Sequence, residues 1–174
     1  MYTWSYTIMG NEKAWDFWHD FFSLCQDHKT SEEYEKYPSK LPKKLRSYLI
    51  CKLVERCYDE IVGMALTKNS RLAFQVLGYF LLSYGAKMTE DVRILILKNS
   101  RWVDDRRQLK DKKDRTERRK YLFGFREEIM KYKSGKIIDI PTESVTSVAN
   151  QVLKKERRII HNIESYIQRT PILK

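Results

Sequence analysis

The chain has 174 residues, of which 42% are hydrophobic and 33% charged, with only 6 glycines and 4 prolines. This composition disfavours disordered, collagen-like and turn-rich all-β proteins and is typical of helical globular proteins. The formal net charge of +11 is uneven, because residues 1–37 carry −4 and residues 38–174 carry +15. No secretory leader and no apolar run of about 20 residues is present, so we expect a cytoplasmic protein that does not enter a membrane.

The amino-terminal region predicts a short extended segment followed by two helices. Residues 1–10 lack a helical period, and Asn11 is a favourable N-cap for a first helix. Apolar residues then recur at intervals of three and four, which predicts a core-facing stripe of Ala14, Trp15, Trp18, Phe21, Phe22 and Cys25. Thr30 and Glu33 can form a capping box for a second, short helix that Pro38 ends.

The middle of the chain predicts three further helices. The first runs without interruption from Pro42 to about Thr67, on a stripe of Leu45, Leu49, Leu53, Cys57, Ile61 and Met64. The next begins near Leu72 and ends at Gly85, a residue suited to a left-handed cap. Thr89 is placed to cap a third helix that ends near Asn99.

The last third predicts a charged stretch at residues 102–114 and then two helices. The first begins near Arg115, buries Leu122, Phe125 and Ile129, and stops at Gly135. The second is capped by Thr142 and ends before Pro171. The overall prediction is an all-α single domain over residues 1–174, a bundle of about seven helices with a short extended N-terminal segment.

A basic run is the strongest chemical feature. Residues 106–136 hold thirteen Lys or Arg against five acids, a net +8. We interpret this run as a cationic ridge on the helix face opposite the apolar stripe, with a second cluster at residues 154–158. The predicted partner-binding residues are Arg106, Arg107, Arg115, Arg118, Arg119, Arg126, Lys154, Lys155, Arg157 and Arg158. Such ridges bind phosphate backbones or acidic surfaces. The alternative is a solvated helix face whose charges pair internally.

Enzyme motifs are absent from the sequence. His19, His28 and His161 form no metal-binding spacing, and Asp104, Asp105 and Asp111 lack the strand pair that a metal-dependent nuclease needs. Arg157 and His161 are similar to the Arg–His pair of helical ribonucleases, although three residues intervene here instead of four to six. We therefore expect no cofactor and no metal. The three cysteines, which have no C-x-x-C spacing, are expected to be buried free thiols.

The opening of the chain resembles the bacterial family known as domain of unknown function 4259, whose members open with Thr-Trp-Ser, a Gly-Asn-Asp-like turn and Ala-x-Asp-aromatic. The matching residues are Trp4, Ser5, Thr7, Gly10, Asn11, Ala14, Asp16 and Phe17. Glu12 and Tyr2 depart from the pattern, as does the basic charge. The resemblance implies a small helical protein, similar by analogy to immunity and inhibitor proteins of bacterial conflict systems.

Three functional hypotheses follow. The first is a non-enzymatic binding or inhibitor protein of a bacterial or phage conflict system, which masks an acidic protein surface or a nucleic-acid enzyme. The alternative is direct nucleic-acid binding through the ridge from Arg106 to Lys136. The third is a metal-independent ribonuclease that uses Arg157 and His161.

Overall fold

A computed structural model describes residues 7–28, 43–138, 140 and 156–169, and only the backbone of residues 43–46 and 156–161. Within these ranges the chain forms eight helices and no strands, so the all-α prediction is confirmed. The helices are α1 (Glu12–Asp27), α2 (Lys43–Arg56), α3 (Tyr58–Lys68), α4 (Arg71–Tyr84), α5 (Glu90–Asn99), α6 (Trp102–Asp105), α7 (Lys112–Lys131) and α8 (Glu156–Arg169). None of the helices described here is long and apolar enough to cross a bilayer.

Helix α4 lies at the centre of the described structure and packs against α1, α2, α3 and α5. Its residues from Leu72 to Leu82 are all buried, because the helix is apolar on every side. Gly78 permits a close approach, since a Cβ atom there would lie 2.8 Å from Ile96 Cγ2 and from Phe125 Cζ. Gly85 ends the helix with a left-handed conformation (φ +68°), as the sequence predicts.

Helix α1 begins as predicted, with the Asn11 side chain accepting a hydrogen bond from the Lys13 amide at 2.9 Å. The predicted stripe is wrong at Trp15, which is 46% exposed. The residues buried by α1 are Ala14, Phe17, Phe21 and Cys25. These positions are spaced by three and four and define one face, and Trp15 lies about 100° from Ala14 around the helix.

The uninterrupted helix predicted from Pro42 to Thr67 is divided at Cys57 into α2 and α3. From Leu45 to Ile61 its stripe repeats every four residues, whereas a helix turn takes about 3.6, so the stripe drifts around a straight helix. The break turns the chain at the buried Cys57 side chain while the hydrogen bonds from Cys57 N to Leu53 O (3.1 Å) and from Ile61 N to Cys57 O (3.0 Å) persist. Both helices can therefore pack against α4.

Helices α5, α6, α7 and α8 form the second half of the described structure, in which α7 packs against α5, α6 and α8. The predicted charged stretch contains the short helix α6. Helix α7 begins at Lys112, earlier than predicted, because the Asp111 carboxylate accepts hydrogen bonds from the first-turn amides. It ends at Lys131, before Gly135, and the Tyr132 hydroxyl then donates to Ala86 O at 2.6 Å.

Some predictions fall on other parts of the chain. The short helix expected from Thr30 to Pro38, the start of the last helix at Thr142, and the basic residues Lys154 and Lys155 lie outside the described residues. Helix α8 belongs to the predicted last helix, and it buries Ile163.

Candidate nucleic-acid interface

Six exposed cations cluster where α6 leads into α7. We call this group the basic corner; it consists of Arg106, Arg107, Lys110, Lys112, Lys113 and Arg115. In the part of the chain that the structure describes, none of the six side chains forms an ion pair. The acids between them are Asp111 and Asp114. The corner is therefore a local excess of four positive charges that face solvent.

The Asp111 carboxylate is committed to the start of α7. It accepts hydrogen bonds from the amides of Lys113 at 2.6 Å and Asp114 at 3.2 Å. These amides would otherwise be the anion-binding groups of a helix N-terminus. Because they are capped, an anion at the basic corner would be held by the side chains of the cluster.

A buried ionic network lies directly behind the basic corner. The Arg118 guanidinium donates to Asp105 Oδ2 from Nε at 3.1 Å and from Nη2 at 2.7 Å. Arg118 Nη2 also lies 2.5 Å from Gln75 Oε1, and Gln75 Nε2 donates to Asn99 O at 2.9 Å. The network links α4, α6, α7 and the end of α5 through side chains that have almost no contact with water. It holds the two helices of the corner in one orientation.

The predicted ridge is wrong at two of its arginines. Arg118 is 1% exposed and Arg126 is 4% exposed, so neither can contact a partner. Residues 118, 122, 126 and 129 are spaced by four, four and three, which places both arginines on the same face as Leu122 and Ile129. Arg126 Nη2 lies 3.6 Å from Glu164 Oε1 on α8, and burial lowers the pKa of its guanidinium below the ordinary value.

An open cleft of about 410 Å³ lies at the basic corner and is lined by Trp102, Arg106, Arg107 and Arg115. Trp102 is partly exposed at the start of α6. Arg115 is oriented by a hydrogen bond from its Nε to Leu109 O at 2.6 Å, and Leu109 is buried. Trp102 is not among the partner-binding residues predicted from the sequence. The signal that could have found it is a tryptophan directly before a run of arginines.

Along the rest of α7, several charged side chains contact a neighbour on the same helix. Lys120 Nζ lies 3.1 Å from Glu117 Oε1, and Lys131 pairs with Glu127 one turn away. The exposed Arg119 side chain lies over the Phe123 ring, with 6.0 Å from its Cζ to the ring centroid. These pairs are the internally paired helix face that the sequence left open as an alternative. Half of the net +8 of residues 106–136 lies at the basic corner, where the six cations have no ion pair in the described structure.

The second predicted cluster and the ribonuclease pair lie largely beyond the side chains that are described. Arg157, Arg158 and His161 lie in α8, where only their backbone is described. Elsewhere, His28 Nε2 lies 2.8 Å from Glu60 Oε1, which raises the pKa of His28. The described residues contain no cluster of three side chains suited to hold a metal ion.

No protein-family profile, curated protein or solved structure matches this chain. The resemblance to domain of unknown function 4259 stays a prediction. Several residues of that signature lie in the described part of the chain, at the start of α1. Asn11 caps α1, and Thr7, Ala14 and Phe17 are buried. Thr7, Asn11, Ala14 and Phe17 thus stabilise the start of α1, and no residue of the signature belongs to the basic corner.

Proposed function

We propose that this protein is a non-enzymatic binding protein that holds the phosphate backbone of a nucleic acid at the basic corner. The observation that carries the proposal is the group of six exposed cations without ion pairs in the described structure, set on a scaffold oriented by the buried Asp105–Arg118 contact. Lys and Arg side chains that neutralise phosphates release condensed counterions, and this release supplies affinity that does not depend on sequence.

The inhibitor hypothesis uses the same surface with an acidic protein as the partner. Its support is the resemblance at the amino terminus, whose described residues serve the fold of α1. Nucleic acid is the better fit to the composition of the corner. Three of its six cations are arginines, whose planar forks bind phosphate or carboxylate oxygens in pairs, and they line a cleft with Trp102, whose ring can stack on a nucleobase.

Charge reversal at three lysines of the corner tests the proposal. Lys110→Glu, Lys112→Glu and Lys113→Glu should preserve the fold, because all three side chains are exposed and acidic residues are favourable in the first turn of a helix, where Lys112 and Lys113 lie. Binding to single-stranded and duplex nucleic acid would be followed between about 50 and 200 mM salt. We expect a strong loss of affinity and a fall of about two in the slope of log K against log salt for single strands, about 0.7 for each lost phosphate contact.

The chain offers a matched control with the same change in net charge. Lys87, Lys133 and Lys136 are exposed and lie near the carboxyl end of α7, since Met88 N donates to Ser134 Oγ at 3.4 Å. Helix α7 has 20 residues, so its two ends are about 30 Å apart. Reversing these three lysines should lower affinity much less. Equal losses in the two triple variants would show a general charge effect and contradict the proposed site.

A different result would favour the inhibitor hypothesis. In that case the wild-type protein binds a cellular protein and no nucleic acid, and the corner variant, but not the control variant, loses that protein. A variant that still binds nucleic acid with unchanged salt dependence would remove the basic corner from the function.

A further inference from the structure

The cleft at the basic corner joins an aromatic side chain to three arginines. Trp102 is partly exposed, although Asp105 and Leu109, three and seven residues further along the chain, are buried. The cleft of about 410 Å³ falls in the range of sites that take small organic molecules. An acidic protein surface would need only the cations. An accessible indole among them indicates a ligand that has both negative charge and a flat apolar face.

We propose that this cleft holds an unstacked nucleobase against the Trp102 ring while the surrounding arginines hold the flanking phosphates, so that the protein prefers single-stranded nucleic acid to duplex. This inference rests on the proposed function and names the form of nucleic acid that the corner takes. Every nucleobase has a π face that can stack on an aromatic ring, so the contact would be tolerant of sequence. In a duplex the bases are already stacked and paired, and exposing one costs free energy.

Hydrogen bonds within the protein hold the Arg115 side chain and the backbone of α6 at the cleft. Arg115 donates its Nε hydrogen to Leu109 O, and in the described structure its terminal nitrogens make no other hydrogen bond. Those nitrogens are thus available to a phosphate. The backbone of α6 is closed by a hydrogen bond from Arg106 N to Trp102 O at 3.0 Å, and Asp105 is held by Arg118. Groups oriented in advance lose less conformational entropy on binding.

Binding to three polyanions distinguishes base stacking on Trp102 from attraction to phosphate charge. They are oligothymidylate, a duplex of the same length, and inorganic polyphosphate, which has no bases. Trp102→Leu should lower affinity for oligothymidylate between about 5-fold and about 150-fold, the range measured for loss of one base–aromatic contact. Its affinity for polyphosphate should not change. Trp102→Phe keeps a ring for stacking and should retain most of the preference for single strands.

Trp15 supplies the matched control, because it is the exposed tryptophan on α1 and lies outside the basic corner. Trp15→Leu should leave all three affinities unchanged. Circular dichroism and thermal unfolding would establish that each variant is folded. If Trp102→Leu does not fold, Trp102→Phe carries the test, since intrinsic fluorescence quenching by oligothymidylate should fall when the indole of the cleft is removed.

The outcomes distinguish this inference from the proposed function. Salt-dependent binding of all three polyanions with no preference for single strands would overturn the stacking contact and leave phosphate binding in place. If Trp102→Leu lowers the affinity for oligothymidylate and for polyphosphate equally, Trp102 has a structural role, and the inference is also overturned. Failure of the wild-type protein to bind any of the three would remove both proposals.

Discussion

The two halves of α4 face different environments. Near its start, Gln75 contacts the buried Arg118 guanidinium, which is neutralised by Asp105. Near its end, the Phe80 ring lies against the rings of Trp18 at 4.7 Å and Tyr84 at 5.0 Å between centroids. Apolar packing is non-directional and adjusts to small changes of shape, whereas a buried charge depends on a few partners at fixed distances. The ionic half should therefore be the less tolerant of substitution.

The largest expected effect is at the ionic half. Asp105→Ala removes the carboxylate that Arg118 contacts through two nitrogens, so a guanidinium that is 1% exposed loses that charge partner. We expect the free energy of unfolding to fall by about 3 to 5 kcal/mol in urea titrations. The control is Asp104→Ala, which removes a partly exposed carboxylate 3.9 Å from Arg71 and should cost about 1 kcal/mol or less. Similar losses of unfolding free energy in both variants would contradict the expected difference between a buried and an exposed carboxylate.

The apolar half should respond more mildly to a conservative change. Phe80→Leu keeps an apolar side chain at a fully buried position, and the neighbouring rings can move toward the space that remains. We expect a loss of about 1 to 2 kcal/mol in the same titration. Arg118→Lys is the matching change at the other half. It should cost more, because an ammonium group cannot reproduce the two hydrogen bonds to Asp105.

Asp111→Asn sharpens the contrast between stability and charge at the basic corner. Asparagine caps helices about as well as aspartate, so the free energy of unfolding should change by less than about 0.5 kcal/mol. The substitution removes one of the two acids among the six cations, and affinity for nucleic acid should rise by about fivefold at low salt, since unit charges 4 Å apart in water interact by about 1 kcal/mol. Unchanged affinity would show that Asp111 is remote from the bound phosphates.

The smallest effect concerns the surface pair His28–Glu60. Because the pKa of folded His28 is raised above its ordinary value of 6.5, its contribution to stability is complete below about pH 6.5 and is lost as the pH rises through the folded value. Glu60→Gln should therefore lower stability slightly at pH 6 and have no effect through His28 at pH 9, since the pKa of the unfolded residue is about 6.5. NMR titration of the imidazole measures the shift directly. A His28 pKa that is the same in both proteins would exclude the pair in solution.

Local patterns were sufficient for most helix boundaries. Asn11 begins α1, Gly85 ends α4, and the buried residues Leu122, Phe125 and Ile129 of α7 follow from their spacing. Arg118 and Arg126 could also have been placed from spacing, since they share the face of those apolar residues. Both arginines were predicted to be exposed because charged side chains usually are. A buried arginine needs a charge partner, and the sequence alone does not show which residue supplies it.

The sequence by itself determined that the protein is helical, where most of its helices begin and end, and that its positive charge is concentrated between Arg106 and Lys136. These properties depend on composition, capping and spacing, which act over a few residues. Only the tertiary structure decided which of those cations are free to bind. Asp105 and Gln75 lie 13 and 43 residues from Arg118 along the chain, and their contact with it depends on how α4, α6 and α7 pack. The cleft beside Trp102 is a product of the same packing.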